Sequence, residues 1–244
     1  MIDFHCHLDL YKDSISLLPK VERFCRFVLV VTTSPRAWEK TSRYFSGISC
    51  IHTAIGLHPE LVPERVHERE ILIANIPNVK FIGEVGIDGT KANIVSINLQ
   101  QEIFSDVVQK SEQCGGKIIS IHSRNATTPV LDVIEKHANK NISVLHWFSG
   151  TVKELERAIS LGCWFSVNTS MLSSKKGVEL VSRMPKAFVL PETDGPFITK
   201  NNTPYMPWET NLVTRQLASI HCLDKRDADG LMNENLKRLL MYIC

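Results

Sequence analysis

The sequence lacks a hydrophobic run long enough to span a membrane, and it lacks paired cysteines. Its apolar runs are short, as in residues 27–31, whereas a transmembrane helix needs about 20 such residues. The seven cysteines are scattered and none forms a CxxC pair. We therefore expect reduced thiols in a cytoplasmic protein. Met1 leads directly into the first predicted strand, so we also expect no signal peptide.

The sequence has almost no net charge and no low-complexity tract, internal repeat or linker-like segment. Its 28 Lys and Arg residues nearly balance its 26 Asp and Glu residues, which gives a formal net charge of +2. That value argues against a broad nucleic-acid-binding surface, so any contact with nucleic acid would be confined to a local site. With 244 residues, 43% of them hydrophobic, we expect a single domain over residues 1–244.

Short β-rich segments recur along the chain, and segments with helical spacing separate them. The clearest helical spacing lies at residues 99–108, 155–159 and 231–243. Strands that alternate with helices predict a parallel sheet. Eight such units with no break in composition predict a closed (β/α)8 TIM barrel. Residues 198–208 predict a long loop after the eighth strand. The predicted strands cover residues 2–8, 27–33, 50–56, 79–85, 117–122, 143–146, 163–168 and 187–192.

The segment FHCH, residues 4–7, places two histidines in the first predicted strand. Alternate side chains of a strand share a face, so Asp3, His5 and His7 point one way and the apolar residues between them point the other. If the apolar face packs against the helices, the histidines face the barrel interior near the end of the strand, where barrel enzymes have their active sites. Taken alone, the pair fits a hydrogen-bonded core pair as well as a metal site.

Four more ionisable residues fall at the ends of later predicted strands. Glu84 ends the fourth and His122 the fifth, His146 ends the sixth, and Asp194 follows the eighth. Each would be costly to bury alone, and all would converge on one rim with the first two histidines. This set of nitrogen and oxygen ligands suits Zn²⁺, Mn²⁺ or Fe, and Mg²⁺ where water and phosphate complete the site. Its size exceeds the needs of one tetrahedral zinc and favours two divalent ions bridged by a carboxylate.

Six motifs, in order along essentially the whole chain, resemble those of the TatD-type metal-dependent nucleases of the amidohydrolase-like barrel superfamily. The resemblance implies a TIM barrel that hydrolyses phosphodiester bonds, often as a 3′→5′ exonuclease on DNA. It also suggests a TatD-type member of a bacterial anti-phage gene cassette, which would imply protein partners in a multi-gene defence system. The motifs are FHCHLD (4–9), GLHP (56–59), GEVGID (83–88), IHSR (121–124), HWFSG (146–150) and ETDGPF (192–197).

The resemblance assigns the ligands to two ions that share Glu84. The first ion would take His5, His7, Glu84 and Asp194, and the second Glu84, His122 and His146. Asp194 and Glu84 would be the catalytic residues. Asp194 would act as the general base that binds and orients the attacking water.

The predicted contacts outside the ligand set each have an ordinary structural alternative. His58, Arg124 and Lys91 would bind phosphate oxygens. A loop imidazole in solvent explains His58 equally well, and a surface ion pair is a common alternative for Arg124. Asp88 would orient a metal-bound histidine, or cap the following helix. Trp147 follows a candidate ligand at the rim, where a base could stack on it.

One departure from the family concerns the substrate pocket. Members usually place aromatic residues after the GxD element, where they border the pocket, but here Gly89, Thr90 and Lys91 follow Asp88.

We expect DNA ends or single strands as the nucleic-acid partner, and no membrane. Three alternatives stay open: a metal-dependent amidohydrolase or esterase on a small or tRNA-linked substrate, a PHP-type phosphoesterase, and a low-activity barrel subunit of a complex. Because Glu84 ends the fourth strand instead of a lysine, the phosphoesterases are favoured over the amidohydrolases.

Overall fold

The computed structural model describes residues 1–242, and it has the predicted alternation of strands and helices. Each of the eight predicted barrel strands is present, with ends that differ by a few residues from the prediction. The strands are β1 Ile2–Cys6, β2 Phe27–Val31, β3 Ile51–Ala54, β4 Phe81–Gly86, β5 Ile118–His122, β6 Ile142–His146, β7 Trp164–Val167 and β8 Val189–Pro191.

Helices connect the strands and cover the outside of the barrel. The first two predicted helices lie within the fifth and seventh helices. The third overlaps the last helix, which begins at Lys225, earlier than predicted, because Asp224 caps its N-terminus. Predicted helix residue Ile243 and the seventh cysteine, Cys244, lie outside the described residues. The helices are α1 Ser14–Phe24, α2 Pro35–Tyr44, α3 Val62–Arg65, α4 Arg69–Asn75, α5 Ile97–Gln113, α6 Thr127–His137, α7 Val152–Ser160, α8 Thr169–Leu172, α9 Lys175–Arg183, α10 Asn211–Ile220 and α11 Lys225–Met241.

All pairings between neighbouring barrel strands are parallel, and they form two arcs that close into a barrel. β1, β2 and β3 form one arc, and β4 to β8 form the other. The arcs meet at a bridge between Ile55 and Ile82. At the other seam the Asp194 N–H donates to the His5 carbonyl (2.9 Å), and the His7 N–H donates to the Gly195 carbonyl (2.8 Å). The TIM-barrel prediction is confirmed, and the second seam runs through the predicted ligands.

The end of β2 also bonds directly to β4, across the chain that follows β3. The Glu84 N–H donates to the Thr32 carbonyl (3.1 Å), and the Thr32 N–H donates to the Gly83 carbonyl (3.0 Å). This approach requires glycine at position 56, because a Cβ there would lie 2.3 Å from the Glu84 nitrogen and 2.4 Å from the Thr32 oxygen. Gly56 thus lets the backbone beside Glu84 pair in the barrel wall.

The prediction of a long loop over residues 198–208 is wrong in part, because this segment contains a small hairpin and a helical turn. β9 Thr199–Lys200 pairs antiparallel with β10 Thr203–Pro204, and a 3₁₀ turn, Pro207–Thr210, follows. Asn201 and Asn202 both have positive φ, at 50° and 61°, as a two-residue hairpin turn requires. Asparagine tolerates that conformation, which explains why so short a hairpin forms here.

The structure also bears on the predicted absences of membrane spans and disulfides. None of the helices in residues 1–242 combines the length and the apolar composition needed to cross a bilayer. The cysteines that the structure describes are all free thiols.

Candidate active site

A cavity of about 570 Å³ opens at the C-terminal ends of the barrel strands. Strand alternation and the parallel order of the sheet bring the predicted ligands to this end, as the sequence suggested. His5 lies below the cavity wall and is fully buried. The cavity is lined by His7, Thr33, His58, Glu60, Leu61, Glu84, His122, Ser123, Arg124, His146, Trp147, Ser149, Asp194 and Phe197.

The buried carboxylate of Glu84 lies at the centre of the site, and one of its oxygens faces the first two histidines. Oε2 lies 3.3 Å from Nε2 of His5 and 3.3 Å from Nε2 of His7. Oδ1 of Asp194 lies 3.7 Å from each of the same two nitrogens. Asp194 follows β8 with a φ of 50°, a left-handed conformation that aspartate adopts more readily than most residues. These four side chains form a first group.

The other oxygen of Glu84 faces a second set of imidazoles. Oε1 lies 2.7 Å from Nδ1 of His122 and 3.3 Å from Nε2 of His58. Nε2 of His146 is 3.9 Å away. His58 is predicted to bind phosphate oxygens; its imidazole lines the cavity and also faces the carboxylate of Glu84. The backbone N–H of Glu60 donates to Nδ1 of His58 (3.2 Å), which leaves Nε2 directed at Glu84.

The residues of the first group suit a divalent cation. Nε2 of His5 is buried and has no hydrogen-bond partner among the described residues, whereas buried polar atoms usually have one. Nδ1 of His5 is bonded to Oγ of Ser120 (2.8 Å), so the ring is fixed with its unpartnered nitrogen towards the carboxylates. Ligand atoms of His5, His7 and Glu84 lie within 4.8 Å of one another, as do those of His58, Glu84 and His122.

In the metal-free site, the charge states of His5 and Glu84 also fit cation binding. Burial lowers the pKa of His5 to about 4, so its imidazole is neutral at neutral pH. Burial alone would raise the pKa of Glu84, but the surrounding imidazoles, first those of His58 and His5, hold it well below its ordinary value. Burial raises the pKa of Asp194 to about 7. The site therefore presents a neutral imidazole beside a carboxylate that stays ionised.

Two further carboxylates hold the imidazoles of the second set in place. Asp88 bonds Nε2 of His122 (2.8 Å), and Glu192 bonds Nδ1 of His146 (2.9 Å). Burial lowers the pKa of both histidines, but these carboxylates and Glu84 outweigh it and raise the values to about 9 and about 10. Each contact leaves the other ring nitrogen directed at Glu84, an arrangement common around metal-binding histidines.

Among the predicted phosphate contacts, Arg124 lies at the cavity and Lys91 does not. Arg124 is exposed and lines the cavity. Lys91 is exposed and is not among the lining residues of the described chain. The reason is local, because Asp88 accepts hydrogen bonds from Thr90 (2.9 Å) and Asn93 (3.0 Å). These bonds fold the segment after β4 into a turn that carries Lys91, whose contact with phosphate stays a prediction.

Sequence reasoning assigned no role to Glu192 and Ser120, although both support predicted ligands. Glu192 is fully buried and also accepts a hydrogen bond from Nδ2 of Asn168 (2.8 Å). It ends an apolar strand, which is the same signal that identified Glu84. Ser120 precedes His122 by two residues in β5, so strand alternation already places it on the inner face.

Replacing Glu192 with glutamine is expected to weaken metal binding by about 10- to 100-fold, the usual effect of losing a hydrogen-bonding partner of a ligand. The charge that fixes the His146 ring would be lost while the shape of the side chain is kept. Metal affinity should be measured by calorimetric titration of metal-stripped protein, with the circular dichroism spectrum as a check of folding. A folded variant with the affinity of the parent would show that Glu192 does not position His146.

Comparison with known proteins identifies the family of this chain. The sequence model for TatD-related DNases matches residues 2–241. An uncharacterized metal-dependent hydrolase of Bacillus subtilis, YabD, is 26% identical over 98% of both chains. Human deoxyribonuclease TATDN3 is 22% identical over 98% of this chain and 94% of its own. The crystal structure of YJJV, a TatD homolog from Escherichia coli, has the same fold, with a TM-score of 0.86 and 20% identity over 96% of this chain and 95% of that one. The chain belongs to the TatD-related DNase family of metal-dependent hydrolases.

Proposed function

We propose that this chain hydrolyses phosphodiester bonds in DNA, releasing nucleotides from the 3′ end of a single strand, with two divalent cations. The observation that carries the proposal is the position of Glu84. Its Oε2 faces His5 and His7, and its Oε1 faces His58 and His122. A carboxylate that offers each oxygen to a separate set of imidazoles is suited to bridging two ions.

The proposed ligand sets follow this division. The first cation would be held by His5, His7, Glu84 and Asp194, and the second by Glu84, His122 and His146, with His58 next to the second set. When bound, the cations would supply Lewis-acid chemistry, which neutralises phosphate charge and lowers the pKa of water. Zn²⁺, Mn²⁺ and Mg²⁺ all accept these donor atoms.

The roles of the protein's own residues follow from their positions around the cavity. Asp194 lines the cavity beside the first group, where one of its oxygens can accept the proton of the attacking water. The guanidinium of Arg124, at the same cavity, can donate to phosphate oxygens and neutralise their charge. Glu84 keeps its negative charge and holds the two ligand sets together.

The cavity favours a flexible strand end over the middle of a duplex. Its volume of about 570 Å³ is of the order of a small-molecule site, and the protein's net charge of +2 gives little attraction for a rigid duplex. Contacts limited to phosphate and sugar would give little sequence preference. The anti-phage role and its protein partners, which only the sequence resemblance suggests, stay predictions.

The test is degradation of single-stranded DNA, labelled at its 5′ end, by chelator-stripped protein with Mg²⁺, Mn²⁺ or Zn²⁺ added back separately. We expect stepwise shortening from the 3′ end that requires metal. Asp194→Asn should slow it by about 10²- to 10⁴-fold, the usual contribution of a positioned base. Asp229→Asn is the matched control and should be fully active, because Asp229 is a half-exposed residue of α11 that pairs with Lys225.

The outcomes separate the proposal from its alternatives. Full activity of Asp194→Asn would contradict the role of Asp194. If metal-loaded protein does not cleave DNA but hydrolyses a small ester or amide, the result would favour the hypothesis that it is an amidohydrolase or esterase. Absence of every activity despite bound metal would favour a barrel that acts as a subunit.

A further inference from the structure

Two aromatic side chains lie at the cavity, on loops that follow different strands. Trp147 directly follows β6, and Phe197 lies in the segment after β8, and both line the cavity. The Trp147 ring packs edge-on against His146, with centroids 6.2 Å apart. The Phe197 ring packs edge-on against His7, with centroids 5.0 Å apart. Each aromatic ring therefore adjoins a histidine on a different side of Glu84.

Ordinary core packing does not account for the position of Phe197. Its side chain is 60% exposed, although a large aromatic residue gains most free energy by burial. Trp147 is half-buried and has a φ of 41°, which is uncommon for a bulky residue. Backbone conformations of this kind concentrate at functional sites.

Hydrogen bonds fix both loops, so the rings have defined positions. The N–H of Phe197 donates to the carbonyl of Asp194 (3.0 Å). In the loop that carries Trp147, the carbonyl of Ser149 accepts a hydrogen bond from Nζ of Lys176 (2.7 Å). Loops held in this way lose little backbone conformational entropy when a ligand binds, which favours binding.

The residues around the rings indicate the chemistry of the ligand. The floor of the cavity carries imidazoles and carboxylates, and Arg124 adds a cation at its edge. Leu61 adds apolar surface to the lining. A ligand that matches both parts has an anionic group for the floor and a flat, apolar face for the rings. An unpaired nucleotide at a strand end has both.

We propose that Trp147 and Phe197 are the base-stacking residues of this site, which bind unpaired nucleobases at the end of a DNA strand while the floor binds the adjoining phosphate. The inference rests on the proposed function, because it takes the phosphodiester to lie at the ligand cluster. It also explains how the site can bind bases although Gly89 and Thr90, and not aromatic residues, directly follow Asp88. Stacking on a ring accepts every base, so it selects single strands without selecting sequence.

Binding to two oligonucleotides tests the inference in an Asp194→Asn background, where little DNA is degraded. One oligonucleotide has a normal 3′ end, and the other lacks the bases of its last two nucleotides. Affinity is measured by fluorescence anisotropy in the presence of metal. Trp147→Ala and Phe197→Ala should each weaken binding of the normal oligonucleotide by about 5- to 100-fold, the range for one stacked base. Binding of the abasic oligonucleotide should change little.

The conservative and control variants separate stacking from folding. Trp147→Phe and Phe197→Tyr should retain most of the preference for the normal oligonucleotide, because a ring remains. Phe24→Ala replaces a phenylalanine that is 46% exposed on α1 and should leave both affinities unchanged. Thermal melting of every variant checks that the barrel is folded.

The outcomes also distinguish the two proposals. Suppose that the parent cleaves DNA, but that adding Trp147→Ala or Phe197→Ala to Asp194→Asn leaves the affinity for both oligonucleotides unchanged. The stacking inference is then wrong, and the proposed function stands. If the metal-loaded parent neither binds nor cleaves DNA, both are overturned.

Discussion

Glu84→Gln is expected to lower hydrolytic activity by about 10³-fold or more and to remove most of the bound metal. Both oxygens of Glu84 face imidazoles, Oε2 towards His5 and His7 and Oε1 towards His122. Glutamine keeps the shape but replaces one oxygen with an NH₂ group and removes the negative charge. Bound metal supplies several kcal/mol of transition-state stabilisation, and each loss of about 1.4 kcal/mol lowers the rate tenfold.

Metal content and activity should be measured on the same preparations of this variant. Elemental analysis after dialysis gives the number of ions per chain, and the labelled single strand gives the rate. Glu179→Gln is the matched control, since Glu179 is an exposed residue of α9 paired with Arg183. A folded Glu84→Gln protein with the metal content and the rate of the parent would exclude Glu84 as a shared ligand.

The sequence was sufficient to predict the fold and the positions of most candidate ligands. Period-two alternation placed His5 of β1 and His7, which directly follows β1, on one side of the chain. The parallel order of the strands placed Glu84 and His122 at the same end of the barrel as these two histidines. These predictions depend only on strand periodicity and direction, which local sequence determines well.

The sequence was insufficient where side-chain direction depends on contacts that no periodic pattern reveals, either inside a turn or between distant segments. His58 faces Glu84 because the N–H of Glu60 orients its ring, a contact inside a turn that has no periodicity. Lys91 is not among the residues that line the cavity, and it lies in a turn that Asp88 anchors. Glu192 carried the signal of a buried carboxylate at a strand end, but its contact with His146 joins the ends of β8 and β6, which are not adjacent in the sheet. Only the assembled fold distinguishes a ligand from the residue that orients it.

Gly56→Ala is expected to destabilise the barrel and to weaken metal binding, although position 56 is outside the ligand set. A Cβ there would lie 2.3 Å from the Glu84 nitrogen and 2.5 Å from the Glu84 carbonyl oxygen. Backbone atoms cannot move aside as a flexible side chain can, so the hydrogen bond between Glu84 and Thr32 would lengthen or break. Overpacking of this kind costs about 1–3 kcal/mol, and the shift would move the Glu84 carboxylate away from its imidazoles.

Urea unfolding of metal-stripped protein measures the free energy of unfolding, and calorimetric titration measures metal affinity. Gly230→Ala is the matched control, because Gly230 lies inside α11 with open space around its Cβ position. There alanine should stabilise the protein by about 0.5–1 kcal/mol, since it loses less conformational entropy than glycine in a helix. The same substitution should thus have opposite effects at the two positions, and metal affinity should fall only for Gly56→Ala. If Gly56→Ala unfolded at the urea concentration of the parent and bound metal as tightly, the close approach at Gly56 would not be what positions Glu84.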